Sequence, residues 1–195
     1  RGLGDVYKRQ DGALTFLRQN GTAENWIMQM ETFDPHEPFF VPEGYQTKDS
    51  GYRGPILNWP RYRRVQESAK EVAELKSNYA ALVSLCDFQL GRILDDFDAN
   101  DRWADTALIM TTDHGFLLSE HDWWAKNRMP FFNEVAHIPL MIYHPDMSIA
   151  EGSHIGALTQ TIDLMPTFLE LYGKPPSLEV QGKSLLPLLF GEVES

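Results

Sequence analysis

Cysteine is nearly absent: Cys86 is the only one in 195 residues, so no disulfide can form within the chain and its folding does not depend on an oxidising compartment. No run of eighteen or more apolar residues occurs, which leaves no segment able to cross a bilayer as a helix. Positive charge is in deficit, with 17 Lys and Arg against 28 Asp and Glu and a net charge of -11. Bulk electrostatics therefore argue against nucleic acid or an anionic membrane as partners, and an anionic small molecule would have to be met by a locally positive site. Repeats, low-complexity tracts and interdomain linkers are missing as well. What is present, at 43% hydrophobic content, is enough apolar material for a core.

The first ten residues do not read as part of that domain. Residues 5–10, DVYKRQ, can be back-translated as the end sequence of a transposon used to build sequencing libraries, so residues 1–10 are expected to be an assembly scar and 11–195 the domain proper. The compartment is left open. Residues 11–20 carry Ala13, Leu14 and Leu17 on one side and stop at Asn20-Gly21, which predicts the tail of an amphipathic helix. Residues 25–33, NWIMQMETF, alternate in part and end at Asp34-Pro35, which predicts a strand running into a loop. In that loop Pro35 and Pro38 flank His36 and are expected to hold it on stiff, extended backbone. Residues 43–60, rich in Gly, Pro and Tyr, predict a long irregular excursion over the surface, followed by a solvated basic face at Arg61, Arg63 and Arg64. Residues 65–97 then place Val72, Leu75, Tyr79, Leu82, Val83, Cys86, Leu90, Ile93, Leu94 and Phe97 at spacings of three and four. This is the pattern of a core-facing helix, with Cys86 as a packed thiol.

The densest chemistry lies in residues 106–127. Ala107 to Met110 is a short apolar run that reads as a strand buried on both faces of a parallel sheet, and it leads into Asp113-His114-Gly115. Open α/β sheets bind ligands beyond the carboxyl ends of their strands. There the hard oxygen of Asp113 and a neutral nitrogen of His114 can both reach one divalent cation. Gly115 is expected to let the backbone turn sharply. Glu120, His121 and Lys126 follow in the same loop, with Trp123 and Trp124 expected to pack it down on the domain. Residues 139–143 predict a second short strand, between a His137 and a His154 that are expected to be structural or exposed. Residues 163–173 predict a helix with Asp163 as its N-cap, a proline in its first turn and a glycine stop.

Together these residues resemble the sulfatase family of the alkaline phosphatase superfamily. The resemblance is carried by Asp113-His114-Gly115 after a strand, Glu120-His121, Lys126 thirteen residues after Asp113, and the Pro35-His36 of ETFDPHEPF with Pro42 and Tyr45 after it. It continues through the helix of residues 163–173 and the following Gly182, Ser184, Leu185, Pro187 and Leu188, and covers roughly residues 11–191. It implies an alkaline phosphatase-like α/β/α sandwich around a mainly parallel sheet, truncated on its N-terminal side, with residues 11–195 as the second half of the catalytic domain. It implies hydrolysis of a small-molecule sulfate ester and one divalent metal, with Asp113 and His114 as ligands. Lys126 would hold a non-bridging or leaving oxygen, His36 would act as general acid or base near the leaving group, and His121 would support substrate binding from behind.

The family's nucleophile, a formylglycine made from the cysteine of Cys-x-Pro/Ala-x-Arg, is expected in a missing N-terminal part, because Cys86 is followed by Asp87-Phe88-Gln89-Leu90. The 195 residues alone are then expected to be inactive. Many sulfatases have Asp-Asn where this chain has Asp113-His114. The nitrogen donor is softer and shifts the expected ion from calcium towards manganese. It also resembles phosphonate monoester and phosphodiester hydrolases, so sulfate and phosphate or phosphonate esters both stay open. One alternative is a two-zinc phosphatase or nucleotide pyrophosphatase of the same superfamily, which needs an Asp-x-x-x-His pair where this chain has Asp34-Pro35-His36. Another is a non-catalytic metal-binding module, which would have to fold independently.

Overall fold

The computed structural model describes residues 5–45, 49–150, 152–175 and 179–193. They form two compact units, Arg1–Trp103 with His114–Ile138 and Ala104–Asp113 with Pro139–Ser195. In the first unit, helix α1 (Asp5–Asn20) starts six residues before the predicted tail and ends as predicted, with Asn20 Nδ2 donating back to the Phe16 carbonyl at 3.0 Å.

The long helix α2 (Ala69–Ala99) begins at a capping box, in which Ser68 and Glu71 satisfy each other's backbone N–H groups. Leu75, Leu82, Ile93 and Phe97 are buried as the spacing predicts. Val83, by contrast, is 43% exposed, and the stripe runs instead through Leu85 and Gln89. Val83 is turned about 100° around the helix from Leu82, which carries it out of the stripe, whereas Leu85 and Gln89 follow Leu82 along its buried side. Leu75, Leu82 and Leu85 form the core with Phe39, Trp124 and Ala125, and Tyr62, Tyr79 and Phe116 pack against it.

Residues 25–33 form no strand. Their side chains alternate between half-buried and exposed in period two, as in extended chain, yet no ladder partner exists among the described residues. Alternation encodes an extended backbone; a strand also needs a neighbour for its N–H and C=O groups. The described part of residues 43–60 is irregular, as expected, but it is laid along α2 rather than held over solvent. Asn78 Nδ2 donates to the Leu57 carbonyl at 3.0 Å, and the Ser50 hydroxyl bonds the Glu74 carboxylate.

In the second unit, β1 (Leu108–Thr111) pairs with β4 (Leu140–Tyr143), Leu108 opposite Tyr143. This ladder is antiparallel, as is the one between β2 (Leu117–Leu118) and β3 (Trp124–Ala125) in the first unit. The described pairings therefore differ from the parallel neighbours expected of β1, and β1 is half-buried rather than covered on both faces. A four-residue apolar run marks a strand but carries no information on the direction of its neighbour.

Helix α4 (Leu164–Leu171) follows a 3-10 turn (Thr161–Asp163). Asp163 makes no side-chain cap to α4. Its carboxylate accepts from the Gln160 N–H at 2.7 Å and the Lys183 N–H at 2.8 Å, so the capping falls one turn earlier than predicted. Thr167 Oγ1 then accepts from the Leu185 N–H at 2.9 Å, which seats the one-turn helix α5 (Leu186–Leu189) against α4.

Candidate active site

His36 and Lys126 stand 90 residues apart in the chain and meet in the first unit, with Lys126 Nζ 2.8 Å from His36 Nε2. An ammonium has only donors, so Nε2 accepts, and the neutral ring carries its proton on Nδ1. That proton is donated to the Glu37 carbonyl, 2.7 Å away. His36 does not lie on extended backbone, as expected; it closes a turn through its N–H to the Phe33 carbonyl at 3.1 Å, and the Phe33 ring sits 4.5 Å from the imidazole. Lys126 thus brings one positive charge beside the imidazole in a chain of net charge -11.

The loop that presents Lys126 is held under backbone strain. Ser119, His121, Asp122 and Ala125 all have φ between 53° and 81°, a region that costs L-residues roughly 1–2 kcal/mol each. What holds it is a segment whose role sequence reasoning missed. Val65 N–H donates to the Asp122 carbonyl at 3.1 Å, Trp124 N–H to the Arg63 carbonyl at 3.0 Å, and Arg64 pairs with Trp123 in a bridge between them. Arg64 also lies over the Trp123 ring at 5.0 Å and reaches the Asp122 carboxylate at 3.2 Å. The arginines assigned to a solvated face thus strap the Lys126 loop to the start of α2. Trp124 is fully buried and donates Nε1–H to Glu67 at 2.7 Å, while Arg63 pairs with the same carboxylate at 2.9 Å. Burial opposes the ionisation of Glu67, but hydrogen bonds from Gln66 N–H, Arg63 and Trp124 outweigh it and hold the carboxyl below its usual range.

Gly115 is needed for a reason other than the one expected. Its φ is not positive; a Cβ there would run into the Glu134 carbonyl, and its N–H donates to the Val135 carbonyl at 2.9 Å. The single turn α3 (Asn133–Ala136) thus abuts the Asp-His-Gly segment. His121 joins the same buttress rather than the Lys126 pair. Its Nε2 lies 3.0 Å from the Glu134 carboxylate and its ring stacks on Phe132 at 3.9 Å.

His114 Nδ1 is 2.9 Å from the Gly115 carbonyl, a bond that keeps the proton on Nδ1 and leaves Nε2 as the acceptor nitrogen of the ring, the form in which a histidine ligates a metal. Asp113 is the next residue in sequence and accepts from Thr112 Oγ1 at 3.3 Å. Among the described residues no group of three or more His, Cys, Asp and Glu gathers as a metal site.

Residues 9–174, well over half of the chain, match the Sulfatase family. The chain belongs to the sulfatase family. One curated sulfatase relative, the N-acetylglucosamine-6-O-sulfatase of Bacteroides thetaiotaomicron, is 32% identical over 158 residues, which cover 78% of this chain and 27% of that protein. Arylsulfatase K of Xenopus laevis is 32% identical over 181 residues, which cover 91% of this chain and 31% of that protein. This sulfatase chain therefore spans roughly a quarter to a third of the length of these two relatives. The solved phosphonate monoester hydrolase SpPMH from Silicibacter pomeroyi superposes with a TM-score of 0.81 at 24% identity, over 98% of this chain and 42% of that one. The fold is accordingly alkaline phosphatase-like α/β.

Proposed function

We propose that this sulfatase-family chain is part of a hydrolase of small-molecule sulfate esters, in which Lys126 and His36 act together on the leaving side of the ester. The observation that carries the reading is their 2.8 Å approach across 90 positions of the chain. Lys126 is a point charge that counters negative charge on the transferred group or on the departing oxygen. His36, protonated on Nε2, gives its proton to the leaving alkoxide.

Asp113 and His114 are the residues proposed to hold one divalent cation, calcium or manganese, which when bound would neutralise charge on the ester and favour ionisation of the nucleophile. The Gly115 carbonyl on His114 Nδ1 supports that role for His114. Cys86 is not proposed as the nucleophile: it lies within α2, and burial, with a smaller contribution from Asp34, pushes its thiol up to about 11. The formylglycine is therefore placed by this reading in upstream sequence, and residues 11–195 alone are not proposed to be catalytic. His121 is proposed to act from behind the site, through the loop it braces. Phosphonate monoesters and phosphodiesters form a second reading, favoured by the nitrogen donor of the Asp113-His114 pair.

The test compares an alkyl and a nitrophenyl sulfate in the full-length enzyme, with the matching phosphonate pair as a second arm. Lys126→Ala should slow poor and activated esters alike, by roughly 3 kcal/mol in kcat/KM. His36→Ala should spare the activated ester, which needs no acid. Equal losses on both esters for His36→Ala would leave His36 as a binding residue and remove its acid role.

A further inference from the structure

One buried carboxylate beside this site has no part in the chemistry so far. Glu37 is 2% exposed and lies between Pro35-His36 and Pro38. Its Oε1 accepts from the Tyr62 hydroxyl. Its Oε2 has no hydrogen bond of its own and faces His36 Nδ1 at 3.3 Å, the distance of an ion pair. Tyr62 is well held for the task, with its ring edge-on to Phe116 at 6.5 Å in the packing around the core. Its phenol stays neutral, because burial, and after it the bond to Glu37, push its ionisation upward.

A carboxylate out of water persists only when another group answers its charge. Here the group that can do so is the imidazole. While His36 is neutral, the Glu37 carbonyl takes the Nδ1 proton. Once Nε2 is protonated the ring becomes a cation next to the Lys126 ammonium, and like charges at that separation repel strongly. The facing Oε2 is the charge on the page that offsets the repulsion.

We propose that Glu37, fixed by Tyr62, is a positioning residue that supplies the counter-charge for the His36 imidazolium, so that Nε2 can protonate the leaving group. The proposal rests on the general-acid reading of His36. In the step, the Nε2–H bond breaks as the O–H bond of the departing alcohol forms, and the electron pair of the breaking ester bond stays on that oxygen. Nδ1 keeps its proton throughout, Glu37 stays ionised, and solvent later restores the proton on Nε2. Glu37 touches no substrate and acts only through the ring.

The experiment uses the full-length enzyme labelled with 15N-histidine, together with its Glu37→Gln and Tyr62→Phe variants. Glu37→Gln keeps shape and an acceptor for Tyr62 while removing the charge. It should lower kcat/KM for the alkyl ester by roughly tenfold to a hundredfold, within what a general acid contributes. That loss should lie in kcat and leave the nitrophenyl ester nearly unchanged. The ring nitrogen shifts of His36, read at one fixed pH, should report a larger share of the doubly protonated ring in the parent than in Glu37→Gln. Tyr62→Phe should show the same ester selectivity at a smaller size, and it stands in if Glu37→Gln does not fold. An unchanged share of doubly protonated ring, or losses of equal size on both esters, overturns the proposal. His36→Ala separates the two layers: if it is selective for the alkyl ester while Glu37→Gln is silent, Glu37 has no such role. If His36→Ala is itself unselective, the acid reading falls and this proposal falls with it.

Discussion

Two histidines in the first unit each face a glutamate, and the two pairs differ in almost nothing but water. His36 meets Glu37, whose side chain is 1% exposed, whereas His121 meets Glu134 with both side chains about 40% exposed, 42% and 38%. Around Glu37 field lines run largely through protein, while the His36 ring, 36% exposed, still meets solvent on one side. Around the exposed pair, water and salt take up most of the interaction. Glu134 is held below the ordinary carboxylate range first by its own backbone N–H, with burial opposing and His121 coming after. Proximity of an acid and an imidazole is thus common to both, and what separates the pairs is how far water reaches the acid.

The sharpest way to break the comparison is to remove each acid in turn. Glu37→Ala leaves the Tyr62 hydroxyl without its acceptor among buried groups and should cost roughly 2–3 kcal/mol of stability by urea unfolding, whereas Glu134→Ala should leave the midpoint unchanged. Equal losses would show that burial is not what separates the pairs. A somewhat smaller effect is expected from Gly115→Ala, which pushes a methyl into the Glu134 carbonyl and so displaces the backbone that carries the exposed pair. About 2 kcal/mol should be lost, and the His121 ring should come off Phe132, seen as a change in its proton shifts. The smallest effect has the opposite sign. Ser119 sits at φ 81° with its N–H bonded to the Trp123 carbonyl, so Ser119→Gly should relieve strain and raise stability by up to about 1 kcal/mol. No gain in unfolding free energy would mean that the exposed pair's loop is not strained at that residue.

Much of this was legible in the sequence where local pattern determines the outcome. The spacing along residues 69–99 announces α2, and the punctuation of residues 163–173 announces α4, because helices are written by neighbours three and four apart. His36 and Lys126 are singled out by the resemblance to sulfatases rather than by spacing, and their meeting across 90 positions could not be read from the sequence. What failed shares one cause: it depends on partners remote in the chain. Residues 25–33 have the alternation of a strand without a neighbour, and β1 has the apolarity of a strand without a stated direction. Arg63 and Arg64 look like a solvated face until residues 122–124 are laid beside them. Glu37 left one signal that could have found it, an acid wedged between two prolines beside a histidine, where solvent contact is poor.

The segment that runs from Asn58 to Val65 joins the two halves of the site in a way that depends on count rather than composition. Asn58 lends its carbonyl to Phe39, three residues from His36; Tyr62 reaches Glu37; and the very next residue, Arg63, lends its carbonyl to Trp124, two residues from Lys126. Consecutive residues therefore grip opposite sides. Among descendants of such a gene, substitutions within this stretch can be absorbed one contact at a time, but gaining or losing a single residue between Asn58 and Val65 would put every grip out of step at once.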